Sequence, residues 1–179
     1  MKKFLSIMLC IAIISVLFAG CSTGTPAALA AKDANLDDIL TAIQDAYGEY
    51  YLAGGEMPLE FIEMEFGITE DMYDDIRGEM ALITVFNDRL LLVKAKEGKA
   101  DDVQKALDDA LERKINDGMQ YPMNLPKSKG AIISRNGNYF AFIMLGQNGE
   151  FGDSTSDEAL NFAKEQSQIG ADVFDSFFK

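Results

Sequence analysis

One of the two cysteines in this 179-residue chain stands where a thiol can be acylated. Cys21 closes the run Leu17-Phe18-Ala19-Gly20-Cys21, behind Lys2, Lys3 and an apolar stretch from Phe4 to Phe18. A charged start, an apolar core shorter than a full span and small residues at a cleavage point are the anatomy of an export signal. A spanning helix needs about 20 apolar residues with anchors on both sides. Here Gly20 to Gly24 interrupt the run and no basic stop follows. The run resembles a bacterial lipobox, with Phe18 where most carry Leu. The expected chemistry is cleavage before Cys21, whose thiol then carries a diacylglycerol. Ordinary secretion, cut near Ala30-Ala31, is the alternative.

The remaining chemistry is defined by what is missing. The chain has no His and no Trp. That removes the usual general base of Ser, Cys and Thr hydrolases and the commonest zinc ligand. Cys10 lies in the signal and Cys21 is expected to be acylated, so the folded part has neither a thiol nor a disulfide, and cysteine redox chemistry is excluded. No G-x-S-x-G or S-x-x-K arrangement, P-loop or dinucleotide fingerprint occurs in the mature chain. The sequence therefore predicts no enzyme and no cofactor.

Two clusters stay as candidates. One is acidic: Asp37-Asp38, Asp74-Asp75, Asp101-Asp102 and Asp108-Asp109 are adjacent pairs, and Glu60, Glu63 and Glu65 cluster. Calcium needs six to eight converging oxygens, whereas adjacent helical residues diverge by about 100°. The loop Gln147–Glu158 has Gly152 and Glu158 at EF-hand spacing but Gln147, Gly149 and Phe151 at ligand positions, so no metal site is predicted. The other cluster is apolar. Met57, Phe61, Met64, Phe66, Met72 and Tyr73 lie in an irregular segment, and Met119, Tyr121 and Met123 lie in a loop. Such residues adapt to a partner surface or plug the open face of a small sheet. The triplet Lys127-Ser128-Lys129 reads as solvated loop.

Charge narrows the partners. The whole chain carries −13, and the mature chain, with 14 basic and 29 acidic residues, carries −15. Nucleic acids bind proteins that bring positive charge to phosphates, so none is expected. An acidic surface suits solubility or a cationic partner.

Behind these residues the pattern predicts a single α+β domain over residues 35–179, after a cleaved signal helix (1–20) and a small, polar lipidated tether (21–34). The tether reaches about 20 Å by random-coil scaling. Leu36, Ile39, Leu40, Ile43, Ala46, Tyr47 and Tyr50 recur at helical spacing over 36–52. Thr69 reads as the cap of a short helix. Ala81–Phe86 and Leu90–Lys96 read as strands joined at Asn87-Asp88. A helix follows with the stripe Val103, Ala106, Leu107, Ala110, Leu111 and Ile115. Gly130–Ser134 and Tyr139–Leu145 form a second hairpin about Asn136-Gly137, a strong turn signal. A final helix is capped by Ser154 or Thr155, with Glu158 as in a capping box. The order α-ββ-α-ββ-α implies a four-stranded antiparallel sheet from two hairpins, with helices over one side.

One stretch is similar to a known family. Leu91-Leu92-Val93-Lys94-Ala95-Lys96-Glu97-Gly98-Lys99-Ala100-Asp101-Asp102-Val103, continuing through Ala106-Leu107 to Arg113, resembles the centre of the DUF4358 family. Tyr121-Pro122 and Gly137-Asn138-Tyr139 resemble its later motifs, so the likeness covers roughly 61–145. It implies a small bacterial lipoprotein of unknown function and carries no catalytic residue across.

Together these features predict a non-catalytic binding or interaction domain at the bacterial cell membrane. It is lipid-anchored through Cys21 on the outer, extracytoplasmic face, with a protein or small-molecule partner. The alternatives are a carboxylate-dependent surface hydrolase and a structural envelope component.

Overall fold

The computed structural model describes residues 33–179, so the signal segment, Cys21 and the tether up to residue 32 lie outside the described residues. The order is α1 (Leu36–Tyr47), β1 (Gly55–Glu56), α2 (Leu59–Phe66), β2 (Tyr73–Met80), β3 (Arg89–Ala95), α3 (Ala100–Ile115), α4 (Leu125–Lys129), β4 (Ile132–Asn136), β5 (Tyr139–Met144) and α5 (Asp157–Ser176). Short 3-10 turns follow α1 and precede α4. All strand pairs are antiparallel, in the order β1-β2-β3-β5-β4. The fold is therefore α+β as expected, but with five strands rather than four. None of the described helices is long and apolar enough to cross a membrane.

Helices cover both faces of the sheet, not one. On one face α2 and α3 bring Ile62, Phe66, Val103 and Leu107 against Leu91, Val93, Phe140 and Phe142. On the other, α1 and α5 bring Leu36, Ile39, Ile43 and Phe174 against Leu90, Leu92, Ala141 and Ile143. The sequence carries the reason. Leu90-Leu91-Leu92-Val93 and the whole of β5 are buried without alternation, and a strand with no polar alternate has no solvent face. Each large side chain buried this way stabilises the fold by about 1.5–3 kcal/mol.

The first hairpin is displaced by one segment from its expected place. Ala81–Phe86 is not a strand; it belongs to the loop between β2 and β3, where Leu82 and Ile83 are exposed. The strand is the charged stretch before it. Ile76 and Gly78 point to the core while Asp75, Arg77 and Glu79 are half-buried on the other face, and a bulge at Asp74 resets the register. Strand propensity is weaker than the pairing partner that burial imposes.

Caps also differ in detail. Asn35 caps α1, accepting from Asp37 N–H at 2.7 Å, and α1 ends at Gly48, whose φ of 54° suits glycine. Thr69 closes a turn to Met72 rather than starting a helix. Ser156, not Ser154 or Thr155, caps α5 through Ala159 N–H. Thr155 is instead held by Asp153.

Candidate functional site

Strand direction sorts the connections into two ends. Met80, Arg89 and Met144 are neighbours at one end of the sheet; Tyr73, Ala95 and Tyr139 lie at the other. The loops 81–88, 116–131 and 145–156 all leave from the first end. The chain enters at the second. There Asp33 accepts from Lys94 Nζ at 2.8 Å and from Tyr139 Oη at 2.6 Å, and Ala34 N–H donates to the same tyrosine. The Lys94 ammonium, then the Tyr139 hydroxyl, holds the Asp33 carboxyl below its usual range.

The loop end is tied together from inside. Lys127, on α4, donates to both oxygens of Asp88 at 2.9 and 2.8 Å and to the Gly146 carbonyl at 2.8 Å. Lys127 is 3% and Asp88 0% exposed, so one ammonium joins all three loops with each of its three donors used. Burial pushes the Asp88 carboxyl up and the Lys127 ammonium down, and each charge opposes the other's shift. Beside the pair, Asn87 donates to Ser128 Oγ at 2.9 Å and to the Asn124 carbonyl at 3.2 Å, and Asn124 donates to the Val85 carbonyl at 2.8 Å. Phe151 packs edge-on against Phe162 of α5, with ring centres 5.5 Å apart. The reading of Lys127 as solvated loop is thus corrected. Asp88 and Lys127 each look like a turn or loop residue in sequence, and only the fold makes them a pair.

Outside this lock the loop end carries much of the exposed apolar surface. Of nine large hydrophobic residues exposed among the described residues, five lie here: Leu82, Ile83, Met119, Tyr121 and Met123. The same three loops hold only four of the chain's 29 carboxylates, Asp88, Asp117, Glu150 and Asp153. An apolar patch with little charge, on a body this acidic, is the kind of exposure that marks an interaction surface.

The predicted partner surface is split by the fold. Met57 (3% exposed) and Phe66 (0%) are core residues, because they face β2 and β5 rather than solvent. Phe61, Met72 and Tyr73 are half-buried against the same core. Met64 is exposed on α2, where it lines a cleft with Arg113, Lys114 and Asp117. Met119, Tyr121 and Met123 do come together on one loop, and Leu82 and Ile83 join them at that end, masked in sequence by their strand-like run.

A second feature is an acidic groove of about 510 Å³ between α2 and β2, lined by Leu59, Glu60, Glu63, Glu70, Tyr73 and Asp74. Lys96 also lines it, but donates to the Glu70 carbonyl at 2.8 Å. Burial, then the Glu70 and Glu63 carboxylates, raises the Tyr73 phenol above its ordinary value. Among the described residues, Glu60, Glu63 and Asp74 form no ion pair.

Set beside known proteins, residues 54–145 match the family model described as a domain of unknown function, DUF4358, and the chain belongs to that family. No curated protein and no solved structure matches it.

Proposed function

We propose that the protein is a non-catalytic interaction domain, lipid-anchored through Cys21 on the extracytoplasmic face of the bacterial cell membrane, which presents its loop end to a protein partner. One observation carries the reading. The chain enters at the Asp33–Lys94–Tyr139 end, and the exposed apolar residues cluster at the opposite end of the strands. A domain held by its start would offer those residues outward, as far from the membrane as its length allows.

The test uses whole cells making the full chain with a photo-crosslinking residue at position 121 or, as a control on α3, at position 108. The expected result is a discrete protein adduct from 121 and none from 108, with the 121 adduct lost when Leu82→Ser and Ile83→Ser are added. Equal labelling from both positions, or none from either, would discard the loop end. The anchor has its own test: Cys21→Ala should move the chain from the membrane fraction to the medium, and its retention on the membrane would discard lipidation.

A further inference from the structure

The outer edge of β2 is only partly covered. β1 pairs with it at Glu79 and Met80, and Met57 N–H donates to the Gly78 carbonyl at 2.8 Å. From Tyr73 to Arg77 no described strand lies beside it. The Gly78 bond shows which backbone groups face outward. In an antiparallel strand the outward groups recur every second residue, so those of Ile76 face the same way as those of Gly78.

In place of a neighbouring strand, two side chains of β2 itself satisfy them. Asp75 Oδ1 accepts from Ile76 N–H at 2.9 Å, and Arg77 Nη1 donates to the Ile76 carbonyl at 2.8 Å. Both side chains are more than a third exposed, at 41% and 35%. Exposed charged groups of this kind exchange with water at little cost. The edge is therefore satisfied, but by groups that can be displaced.

Two grooves run along this edge and share Leu59. The acidic groove of about 510 Å³ meets β2 at Tyr73 and Asp74. A second, of about 230 Å³, meets it from Ile76 to Glu79 and is floored by Met57, Ile62 and Leu40. Along both, Glu56, Glu60, Glu63 and Asp74 face solvent.

We propose that the β2 edge is a docking strand for an extended, cationic peptide segment of another protein, which pairs with the Ile76 backbone and lays lysine or arginine side chains along the carboxylates of the two grooves. Main-chain pairing at an open edge supplies affinity, and pockets for alternate side chains supply selectivity. Charge selects the occupant: a second copy of this acidic chain would be repelled, whereas a basic segment is drawn in. The site lies apart from the loop end and does not depend on it.

The experiment titrates three capped seven-residue peptides into the ¹⁵N-labelled full chain in a nonionic detergent. One alternates Lys and Val, one has the same sequence with every backbone amide N-methylated, and one has Glu for Lys. The Lys peptide should bind saturably, with shifts centred on the Ile76 and Gly78 amides. The methylated peptide, equal in charge but without donors, should bind at least tenfold more weakly, and the Glu peptide should not bind. Exposed-site reversal by Glu63→Lys with Asp74→Lys should weaken the Lys peptide at least tenfold while leaving the amide spectrum folded. Equal binding of the methylated peptide would overturn strand pairing. So would shifts confined to the loop end, or no saturation by the Lys peptide at millimolar concentration.

Discussion

The loop end and the outer edge of β2 both hold backbone groups that no neighbouring strand satisfies, and they answer that need in opposite ways. At the loop end the carbonyls of Gly146, Val85 and Asn124 accept from Lys127, Asn124 and Asn87. Lys127 and Asn124 are themselves buried. At the β2 edge the Ile76 groups meet Asp75 and Arg77, both substantially exposed. A buried partner cannot be withdrawn without stranding a desolvated group, which costs about 1–3 kcal/mol or more if charged. An exposed partner is replaced by water. The first region is fixed so that its apolar outside keeps one shape; the second is provisional, and its backbone stays on offer.

The largest expected effect falls on the lock. Lys127→Ala leaves Asp88 buried and uncompensated, and should destabilise the fold by about 3–5 kcal/mol in urea unfolding at neutral pH. A loss below about 1 kcal/mol would break the contrast. Next comes Gly130→Ala, just after α4. An added Cβ would sit 2.7 Å from the Ala163 backbone carbon and 2.8 Å from Lys164 N, and such overpacking should cost about 1–3 kcal/mol.

Arg77→Ala at the edge should cost less than about 1 kcal/mol, since its ion pairs are exposed. A cost as large as that of Lys127→Ala would show that the edge is locked as well.

A pH series probes the face of the sheet behind that edge. Tyr51 Oη donates to Glu79 at 2.5 Å, and Tyr47 Oη donates to the Gln166 carbonyl at 2.7 Å. Burial, first among the causes, raises both phenols above their ordinary value of 10. A group whose folded value is raised gives stability that is complete below its unfolded value and declines as pH rises beyond it. Unfolding midpoints should therefore fall above about pH 10, and Tyr47→Phe should flatten that fall.

The smallest stability effect belongs to Leu82→Ser with Ile83→Ser. Surface changes of this kind stay within about 0.5 kcal/mol each, so thermal unfolding should hardly move although the adduct from position 121 disappears.

The sequence made some of this visible and hid the rest for physical reasons. The stripes of α1 and α3 and the Asn136-Gly137 turn were legible because they depend on neighbours three or four residues away or fewer. β2 was not. Tyr-Asp-Asp-Ile-Arg-Gly-Glu-Met reads as a polar connector, and its strand character comes from pairing with β3. Ala81–Phe86 misled in the opposite sense: it is a loop in which Leu82, Ile83 and Thr84 are exposed rather than buried by pairing. Two-sided burial was written in the unbroken apolar runs of β3 and β5. The partner-surface residues separated only once the helix faces were known, since Met57 and Phe66 differ from Met119 and Met123 in location, not in type. The Asp88–Lys127 pair joins residues 39 apart in sequence, and no local pattern reports that.

The fastening of Asp33 also determines how the domain responds to being pulled. Its two partners, Lys94 and Tyr139, sit at facing positions on β3 and β5, and both of these strands are interior to the sheet. The Asp33 side chain is itself 86% exposed, so a tug on the residues preceding it opens this pair first and at little cost. The two strands behind it, whose side chains are buried on both faces, keep their ladder. The fastening is a clip that yields before the fold does.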